Sequence, residues 1–527
     1  MEPSIYRKQW LDLKNSSSLR EELHQLSRKI AFSFIDRYYQ KGLYVPEYID
    51  LICEMATSYE EPELNKITSS SLFEIVVEQI CDDYEYMPVE IYTRVMSQVI
   101  TFCRNTPAGE SLDKKLSDFG IFTFEDIYSR SERVHSRKYS YDITKAPEKI
   151  ILLSRVTIGA DVAILSVMIQ KLSKFFPKAE IVIIGNDKLA GIFGGSKNIR
   201  LCKLSYARKD GLLERLSSWH SSLEIISDEI PKGSENKVLL IDPDSRISQL
   251  GVLPVSKTDN YLFFNSRKCI ASSQNACMAE LANHWMDSVF GKSEFCFPAI
   301  WTPMNFSLQA KKIVTSLRAA GCEKIIAVNF GVGGNPRKSL GLEFEKKLLR
   351  ELLKTPRTAV LLDSGFGQAE LSQSAMLLSD LQNHGFQTFS ARFADFDNCT
   401  MSHGLAVLEC TIGEIASIIA QSDEYIGYDS ACQHIAAAAQ TPTLTIFAGI
   451  NNMHFIRRWS ACGNTQCKIV HANTLDDPAH IDVDEIILRI TEERAALKRE
   501  IPKQKHKISE IKTSLHKKEE AKKDKVS

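Results

Sequence analysis

The sequence predicts an α/β protein in which an all-helical segment precedes two consecutive domains built on parallel sheets. Three observations support this prediction. Residues 1–147 carry apolar side chains at helical spacing without strand-like alternation. From Lys149 onward, short apolar runs alternate with longer amphipathic stretches, which is the pattern of β-α-β units. A length of 527 residues with 44% hydrophobic residues is sufficient for two or three domains with buried cores.

Residues 1–147 are predicted to form a helical N-terminal domain. Apolar residues recur at helical spacing over 19–39, and the stretches 71–84 and 88–103 repeat the pattern. No combination of residue types in this segment suggests a catalytic centre. We therefore expect a docking domain, which could position an acceptor or hold an oligomer together.

Residues 148–300 are predicted to form a first Rossmann-like domain. A strand at 150–155 leads through a glycine-containing turn into a helix at 161–176, and further strands are expected at 180–185, 237–241 and 261–265. Asp161 lies where the first strand gives way to the helix. Its carboxylate could therefore take a proton from a hydroxyl group in a cleft. The structural alternative is that Asp161 caps the helix.

The proline-containing stretch 296–306 is predicted to be a linker to a second Rossmann-like domain, residues 301–497. Helices and strands alternate in this domain, as a parallel sheet requires. The expected strands are 324–329, 358–363 and 386–390, and the expected helices are 307–320, 369–385, 412–421 and 483–498.

The loop 330–340 is the first candidate binding loop of this second domain. It runs from a strand through Gly331, Gly333 and Gly334 to Arg337 and Lys338. Glycines let backbone N–H groups approach an anion, and the two cations can neutralise its charge. The spacing fits neither a Walker A loop nor a G-x-G-x-x-G motif. A solvated glycine turn is the alternative.

The stretch 424–449 is the second candidate. It predicts a strand at 425–427, a turn, a helix at 431–439 and a strand at 443–447. Asp429 and Ser430 lie at the junction of strand and helix, where free N–H groups and the helix dipole attract anions. His434 follows Ser430 by four residues and can share its helix face. The alternative is a capped helix that carries a packed surface histidine.

The same stretch resembles a known family. Asp-Ser-x-x-x-His-Ile-Ala-Ala-Ala, followed by a proline and a strand ending Phe-x-Gly, is similar to the nucleotide-sugar motif of the heptosyltransferase-type family 9 glycosyltransferases. Ala431 stands where the family pattern has glycine. Arg-Val-Thr-Ile-Gly-Ala-Asp-Val at the start of the first domain resembles the family's first unit, with Ala160 inserted between Gly159 and Asp161.

The resemblance covers about 148–490 and implies a GT-B fold, in which two Rossmann-like domains face a cleft. It implies a nucleoside-diphosphate sugar as donor, with ADP-heptose as the first candidate, and inverting single displacement onto a glycan or protein hydroxyl. By this resemblance Asp161 is the general base and Lys338 stabilises the departing diphosphate. The residues that would hold the donor are Gly331, Gly333, Gly334, Arg337, Asp429, Ser430 and His434. Two alternatives stay open: a nucleotide-sugar epimerase with the double-Rossmann architecture, and a catalytically silent GT-B module used in binding or assembly.

No metal or resident cofactor is expected. The segments 242–244 and 395–397 are literal D-x-D strings, which arise easily by chance, and GT-B enzymes resembling this chain place basic residues and helix dipoles on the diphosphate. The thirteen cysteines are scattered and partly lie in apolar segments, which suits reduced thiols. Cys462 and Cys467 could join Cys399 and Cys410 at a zinc or iron site, but their loose spacing favours free thiols.

Overall charge and hydropathy favour a cytoplasmic protein. The net charge of −1 does not suggest a nucleic-acid partner. No apolar run approaches the roughly 18 residues that span a bilayer, and the N-terminus lacks the apolar core of a signal peptide. From Lys498 the tail carries 11 Lys and Arg against 5 Asp and Glu. This composition is typical of a solvated or disordered segment, and it could touch an anionic inner membrane surface.

Overall fold

The computed structural model describes residues 1–13, 19–78, 86–207, 210–257, 260–267, 275–396, 400–475 and 481–499. The charged tail predicted from residue 498 lies outside the described residues from residue 500 onward, together with its predicted membrane contact. Cys399 and the end of the second D-x-D string also lie outside them.

Helices make up the first part of the chain, as the apolar spacing predicts. They are α1 (Pro3–Leu13), α2 (Leu19–Lys41), α3 (Pro46–Met55), α4 (Pro62–Ser70), α5 (Tyr86–Arg104), α6 (Glu110–Asp118) and α7 (Phe124–Ser136). A π-helical stretch, Ser71–Glu78, continues α4 directly.

The first sheet is parallel, with the strand order β3-β2-β1-β4-β5 of a Rossmann-like domain. Its strands are β1 (Lys149–Leu153), β2 (Glu180–Gly185), β3 (Ile199–Lys203), β4 (Val238–Asp242) and β5 (Tyr261–Phe263). After Lys149, β1 is buried and apolar throughout, as expected for a central strand of a parallel sheet.

The helix after β1 changes character along its length, and we name the whole of it α8. It begins as Ile158–Ala160, widens into a π-helical turn at Asp161–Leu165 and continues as an α-helix over Ser166–Phe175. The other helices of this domain are α9 (Leu189–Phe193), α10 (Leu212–Asp228) and α11 (Met278–Phe290).

The N-terminal helices share a core with this first sheet. Phe34 of α2 and Val95 of α5 belong to the same buried cluster as Ile151 and Val182 of the sheet. Because a sheet must bury both faces, the helical segment serves as the cover of one of them.

The second sheet is also parallel, with strand order β12-β11-β10-β6-β7-β9-β8. Its strands are β6 (Lys324–Asn329), β7 (Thr358–Asp363), β8 (Gln387–Arg392), β9 (Gly404–Glu409), β10 (Glu424–Tyr428), β11 (Thr443–Phe447) and β12 (Cys467–His471). Its helices are α12 (Met304–Ala319), α13 (Leu342–Leu353), α14 (Gly367–Asn383), α15 (Ile412–Gln421), α16 (Ala431–Ala438), α17 (Met453–Trp459) and α18 (Val483–Arg499).

The two sheet domains touch each other directly. α9 meets α15 through two facing glycines, so close that a Cβ at Gly191 would lie 2.9 Å from the Cα of Gly413. The π-helical turn of α8 packs against α16. Two parallel-sheet domains in contact, preceded by helices, form the GT-B architecture that the sequence predicts. Among the described helices, none combines the length and apolar character needed to cross a bilayer.

Candidate functional site

The two candidate loops of the second domain meet at the carboxyl edge of its sheet. β6 and β10 are neighbouring parallel strands, so the loop after β6 and the turn after β10 emerge side by side. Lys338 Nζ donates hydrogen bonds to Asp429 Oδ2 at 2.5 Å and to the Asp429 carbonyl at 3.3 Å. The structure therefore brings together two predicted site residues.

Both carboxylate oxygens of Asp429 have partners. Gln433 Nε2 donates to Oδ1 at 2.5 Å from one turn further along α16. Asp429 is only 6% exposed, and a buried carboxylate needs such donors because burial penalises its charge. Gln433 was not predicted, although its position four residues after Asp429 is the signal that could have found it.

Ser430 stands at the N-cap position of α16, with an extended backbone (φ −149°), but its side chain makes no capping hydrogen bond. Its hydroxyl is buried beside the phenol of Tyr425. Neither hydroxyl has a well-formed hydrogen bond in the described part of the chain. A buried hydroxyl with unused bonding capacity at a helix N-terminus is suited to an anionic ligand.

His434 is buried between the two sheet domains, which corrects the alternative of a packed surface histidine. A Cβ at Gly159 would lie 3.1 Å from His434 Cδ2, and the ring of Trp459 lies edge-on with a centroid distance of 6.0 Å. Burial lowers the pKa of His434 to about 4, because desolvation outweighs the attraction of Asp429. The imidazole is therefore neutral near pH 7 and can exchange hydrogen bonds without adding charge.

Ala431 packs against the first domain. A Cβ added to Gly159 would lie 3.1 Å from the Cα of Ala431 and 3.7 Å from its Cβ. The tight approach is to the backbone of Ala431 and not to its methyl group, so glycine at position 159 lets the two backbones come close whatever the side chain at position 431. Nearby, the guanidinium of Arg155 lies over the ring of Trp459 at 5.9 Å, a second contact between the domains that the sequence did not reveal.

Asp161 lies inside the π-helical turn of α8, and the N-cap of that helix is Thr157 instead. Ser154 Oγ donates to Asp161 Oδ2 at 2.8 Å, and the backbone N–H of Arg155 donates to Oδ1 at 2.7 Å. The carboxylate therefore ties α8 to the loop after β1. Asp161 is therefore not the helix cap that the structural alternative predicted. Its structural role is to hold the loop after β1 against α8.

The Asp161 carboxylate has no exposed surface. Burial raises its pKa to about 7, although the hydrogen bonds from Arg155 and Ser154 act in the opposite direction. A π-helical turn bonds i to i+5 and so holds one residue more than an α-helical turn, which accommodates the inserted Ala160. A substrate hydroxyl can meet this carboxylate only after adjoining segments have moved.

The glycine loop places its two cations differently. Gly333 and Gly334 have φ values of +61° and +82°, a left-handed conformation that favours glycine. Pro336–Lys338 forms one 3₁₀ turn, which sets Lys338 against Asp429 and leaves Arg337 exposed to solvent. Lys338 therefore lies at the edge of the candidate site, whereas Arg337 faces the solvent.

A small cavity beside this loop lies between the first turns of α13 and α14. Its volume is about 20 Å³, which is room for about one water molecule. Gly331 lines it, together with Glu345 and Asp363. Burial raises the pKa of Glu345 to about 7 and that of Asp363 to about 6.

Asp363 and Asn329 were not predicted as site residues, although both end a strand at the same edge as Asp429. Asn329 Nδ2 donates to Asp363 Oδ2 at 2.8 Å, and its Oδ1 accepts the backbone N–H of Gly331 at 3.1 Å. These bonds fix the start of the glycine loop. The position at a strand's carboxyl end is the signal that could have found both residues.

Within the described residues, no three His, Cys, Asp or Glu side chains are arranged to hold a metal ion. The first D-x-D string instead forms structural contacts. Tyr261 donates to Asp242 Oδ2 at 2.8 Å, and Ser266 Oγ donates to Asp244 Oδ2 at 2.6 Å.

Part of the chain matches the model of a known protein family, and several solved structures have a similar fold. Residues 404–476 match the family model described as glycosyltransferase family 9 (heptosyltransferase). No curated protein matches the chain significantly in sequence.

Several solved structures are similar to the chain, among them the following three. The family 9 glycosyltransferase of Veillonella parvula is 13% identical over 68% of this chain and 98% of its own, with a TM-score of 0.47. The ADP-heptose lipopolysaccharide heptosyltransferase II of E. coli is 12% identical over 66% and 98%, with a TM-score of 0.45. E. coli heptosyltransferase WaaC with ADP is 13% identical over 65% and 99%, with a TM-score of 0.42.

The matched residues run from β9 to just beyond β12 and include Asp429, Ser430 and His434. They comprise the strand, the helix and the turn that form the edge described above. This part of the second parallel-sheet domain is therefore similar to the glycosyltransferase family 9 (heptosyltransferase) model.

Proposed function

We propose that this chain transfers a sugar from a nucleoside-diphosphate donor to a glycan or protein hydroxyl by inverting single displacement, with ADP-heptose as the first donor to test. The observation that carries the proposal is the Lys338–Asp429 pair, which places a cation at the N-terminal end of α16, a helix within the residues that match the family 9 model. A cation next to free helix N–H groups is a ready anion site.

The diphosphate is proposed to lie beside Lys338, where it would share the ammonium group with Asp429. Gly333 and Gly334 leave their backbone open to solvent, so their N–H groups can approach phosphate oxygens. As the bond from the anomeric carbon to the diphosphate breaks, negative charge grows on the leaving group. In this proposal Lys338 would stabilise that charge, because a cation held beside the leaving group needs no reorganisation as the charge develops.

Ser430 and His434 are proposed to orient the donor. The Ser430 hydroxyl lies at the start of α16 with unused bonding capacity. His434 is neutral at physiological pH and lies against the first domain. Neither side chain carries a positive charge, so both can hydrogen-bond to the donor without repelling the ammonium group of Lys338. Arg337 and Gly331 would complete the donor contacts from the glycine loop.

Asp161 is proposed to be the general base. The acceptor oxygen attacks the anomeric carbon, the bond to the diphosphate breaks, and the hydroxyl proton passes to the Asp161 carboxylate. A pKa of about 7 suits a base that works near neutral pH. The step needs an open state of the two sheet domains, of the kind that substrate-driven closure completes in many enzymes.

The partners follow from the same proposal. No metal is required, because Lys338 and the α16 N-terminus supply positive charge that a divalent ion supplies in other enzymes. The helical segment is proposed to dock the acceptor or a second copy of the chain. Contact of the basic tail with an anionic membrane surface is kept as the alternative to a solvated tail.

A second candidate is a binding or assembly module without catalysis. The full burial of Asp161 and the partners on both its carboxylate oxygens favour it. Such a module would bind a nucleotide sugar and leave it unchanged. An epimerase would convert the donor without any acceptor.

The test is a thermal-shift and calorimetric screen of the protein with ADP-, GDP- and UDP-sugars, beside the double variant Ser430→Ala/His434→Ala. Saturable binding that the variant loses would support the donor site and name the nucleotide. Absence of binding to every nucleotide sugar would overturn the donor-site assignment. Product analysis with and without acceptor glycans or peptides then separates transfer, isomerisation and binding alone.

A further inference from the structure

One face of α2 is open to solvent although it carries large aromatic side chains. Phe32 is 43% exposed and Tyr39 is 48% exposed. Because they are seven positions apart, they lie on the same side of the helix. The opposite side is buried in the core through Leu23, Leu26, Ile30, Phe34 and Tyr38. We call the open face the α2 stripe, which consists of Arg28, Lys29, Phe32, Ile35, Asp36 and Tyr39.

The α2 stripe rests on a rigid support. α2 has 23 residues, and Phe34 on its inner side belongs to the buried cluster that includes the first sheet. On the outer side, the guanidinium of Arg28 lies 5.5 Å from the centroid of the Phe32 ring. Aromatic and arginine side chains on a firmly packed helix are typical of the centre of a protein interface, and a rigid face needs little ordering when it binds.

The charges of the α2 stripe are complementary to a second copy of the same stripe. Lys29 and Asp36 lie on one flank of Phe32, three positions before it and four after it, and both are exposed. Neither forms an ion pair with another residue in the described part of the chain. A two-fold axis beside Phe32 would set the two helices antiparallel, so that Lys29 of each copy faces Asp36 of the other.

The opposite orientation fails on the same charges. In a parallel pair of α2 helices, Lys29 would lie beside Lys29 and Asp36 beside Asp36, and like charges at neighbouring helix positions repel. The antiparallel pair also brings the Phe32 side chains of the two copies together at the axis, which removes the exposed aromatic surface from water. Charge and apolar surface therefore select the same arrangement.

We propose that the α2 stripe binds the α2 stripe of a second copy of this chain, with the helices antiparallel and Phe32 of each copy at the centre. This assigns the second copy, and not the acceptor, to this face of the helical segment. The assignment does not rest on the proposed glycosyl transfer, because association is measured without donor or acceptor. One helix from each copy buries less than about 1,200 Å², which is typical of reversible contacts.

The test is sedimentation equilibrium of the full-length protein at low salt, from about 1 µM to about 100 µM, where a micromolar dissociation constant is measurable. We expect a monomer–dimer equilibrium that weakens as salt is added, because exposed charges are screened. Phe32→Asp should raise the dissociation constant by about 10²-fold, since it removes the central contact from both copies. Lys29→Glu and Asp36→Lys should each raise it about tenfold, because two attractive contacts become repulsive.

A mixture of the two charge variants tests the antiparallel arrangement itself. In a dimer of one Lys29→Glu chain and one Asp36→Lys chain, the two introduced charges face each other, and the native Lys29 faces the native Asp36. The equimolar mixture should therefore dimerise as tightly as the unaltered protein, although each variant alone does not. Recovery in the mixture would also show that both variants are folded.

The same charge reversals on another helix are the controls. Lys114→Glu and Asp118→Lys change exposed residues of α6, four positions apart, and should leave the dissociation constant unchanged. A protein that stays monomeric up to about 100 µM would overturn the proposal and leave the face to an acceptor or to another segment of the chain. A dimer that the α2 variants do not weaken, or a mixture that does not recover, would also overturn it. A negative result in the nucleotide-sugar screen would contradict the donor site alone.

Discussion

Lys338 and Asp429 form a largely buried ion pair, with 2.5 Å between Nζ and Oδ2 and side-chain exposures of 23% and 8%. They come from loops 91 positions apart in the sequence. The register of β6 and β10, not either loop alone, sets their separation. If the proposed function holds, Lys338 is in place before a donor arrives, so less ordering would be needed for a diphosphate to bind.

Lys338→Ala is expected to weaken nucleotide-sugar binding and to lower the transfer rate by roughly 10²–10³-fold, the range seen when one preorganised charge or donor is removed at a reacting centre. Calorimetry and product formation measure the two effects. Lys347→Ala is the matched control, because Lys347 pairs with exposed Asp484 on the outside of α13. Equal binding and turnover in both variants would remove Lys338 from the donor site.

Asp161→Asn is expected to abolish transfer and to change the pH dependence of stability. The pKa of Asp161 is raised to about 7 in the folded protein, against about 3.9 in an unfolded chain. Between these values the folded state binds more protons, so the free energy of unfolding falls as pH rises from about 4 to 7. The Asp161→Asn variant cannot take up this proton, so its free energy of unfolding should fall less between about pH 4 and pH 7. The expected difference is on the order of a few kcal/mol.

Urea unfolding at pH 5 and pH 8 measures this difference. Asp187→Asn is the control, since Asp187 is an exposed partner of Lys203. A folded Asp161→Asn variant with unchanged turnover would exclude Asp161 as the base. Lost turnover with an unaltered pH profile would show that burial does not perturb this carboxyl as described.

The sequence predicts most strands of the two sheets because they are short, apolar and bounded by loops. The strands at 180–185, 324–329, 358–363 and 443–447 lie where the patterns predict them. β3 and β12 were missed because they are edge strands with mixed polar residues. β9 was missed because Gly404–Glu409 is rich in Leu, Ala and Glu, which also suit a helix.

The candidate site was predictable as two motifs but not as one contact. Lys338 and Asp429 each follow a strand, which the sequence shows, yet their ion pair depends on strand order. The burial of Asp161 was not predictable, because it depends on a π-helical turn and on the packing of a distant helix against it. The sequence also gave no sign that the N-terminal helices share the first sheet's core.

Arg494→Ala is expected to lower the free energy of unfolding by about 3 kcal/mol, because it leaves the buried Glu424 carboxylate with a weaker set of partners. Arg494 Nε donates to Glu424 Oε1 at 2.5 Å, and Lys324 pairs with the other oxygen. The control is Lys468→Ala, which breaks a half-exposed pair with Glu493 and should cost less than about 1 kcal/mol. Urea denaturation measures the free energy of unfolding of both variants. Equal losses would show that the buried ion pair contributes no more to stability than the half-exposed pair.

Removal of divalent and soft metals is expected to leave nucleotide-sugar binding unchanged, because the positive charge of the proposed donor site comes from Lys338 and the α16 N-terminus. The measurement is calorimetry on protein treated with EDTA and phenanthroline, with metal content determined by mass spectrometry. Magnesium-supplemented protein is the control. Binding that disappears on chelation and returns with one particular metal would contradict the expectation.

Gly191→Ala is expected to separate the two sheet domains. A Cβ at Gly191 would lie 2.9 Å from the Cα of Gly413, and a Cβ at Gly413 would lie 2.7 Å from the Cα of Gly191. Backbone atoms cannot yield at such distances, so α9 and α15 must move apart. Gly413→Ala should have the same effect, because the same contact is broken from the other side.

Small-angle scattering should show a larger radius of gyration for both glycine variants, with faster amide exchange in α9 and α15. Ala190→Ser, at an exposed position next to Gly191, is the control and should match the unaltered protein. Since the opening also exposes the contact between Gly159 and His434, a donor that enters there should associate faster with the variants. An unchanged scattering profile in both would mean that the helices adjust locally and that the facing glycines do not set the distance between the domains.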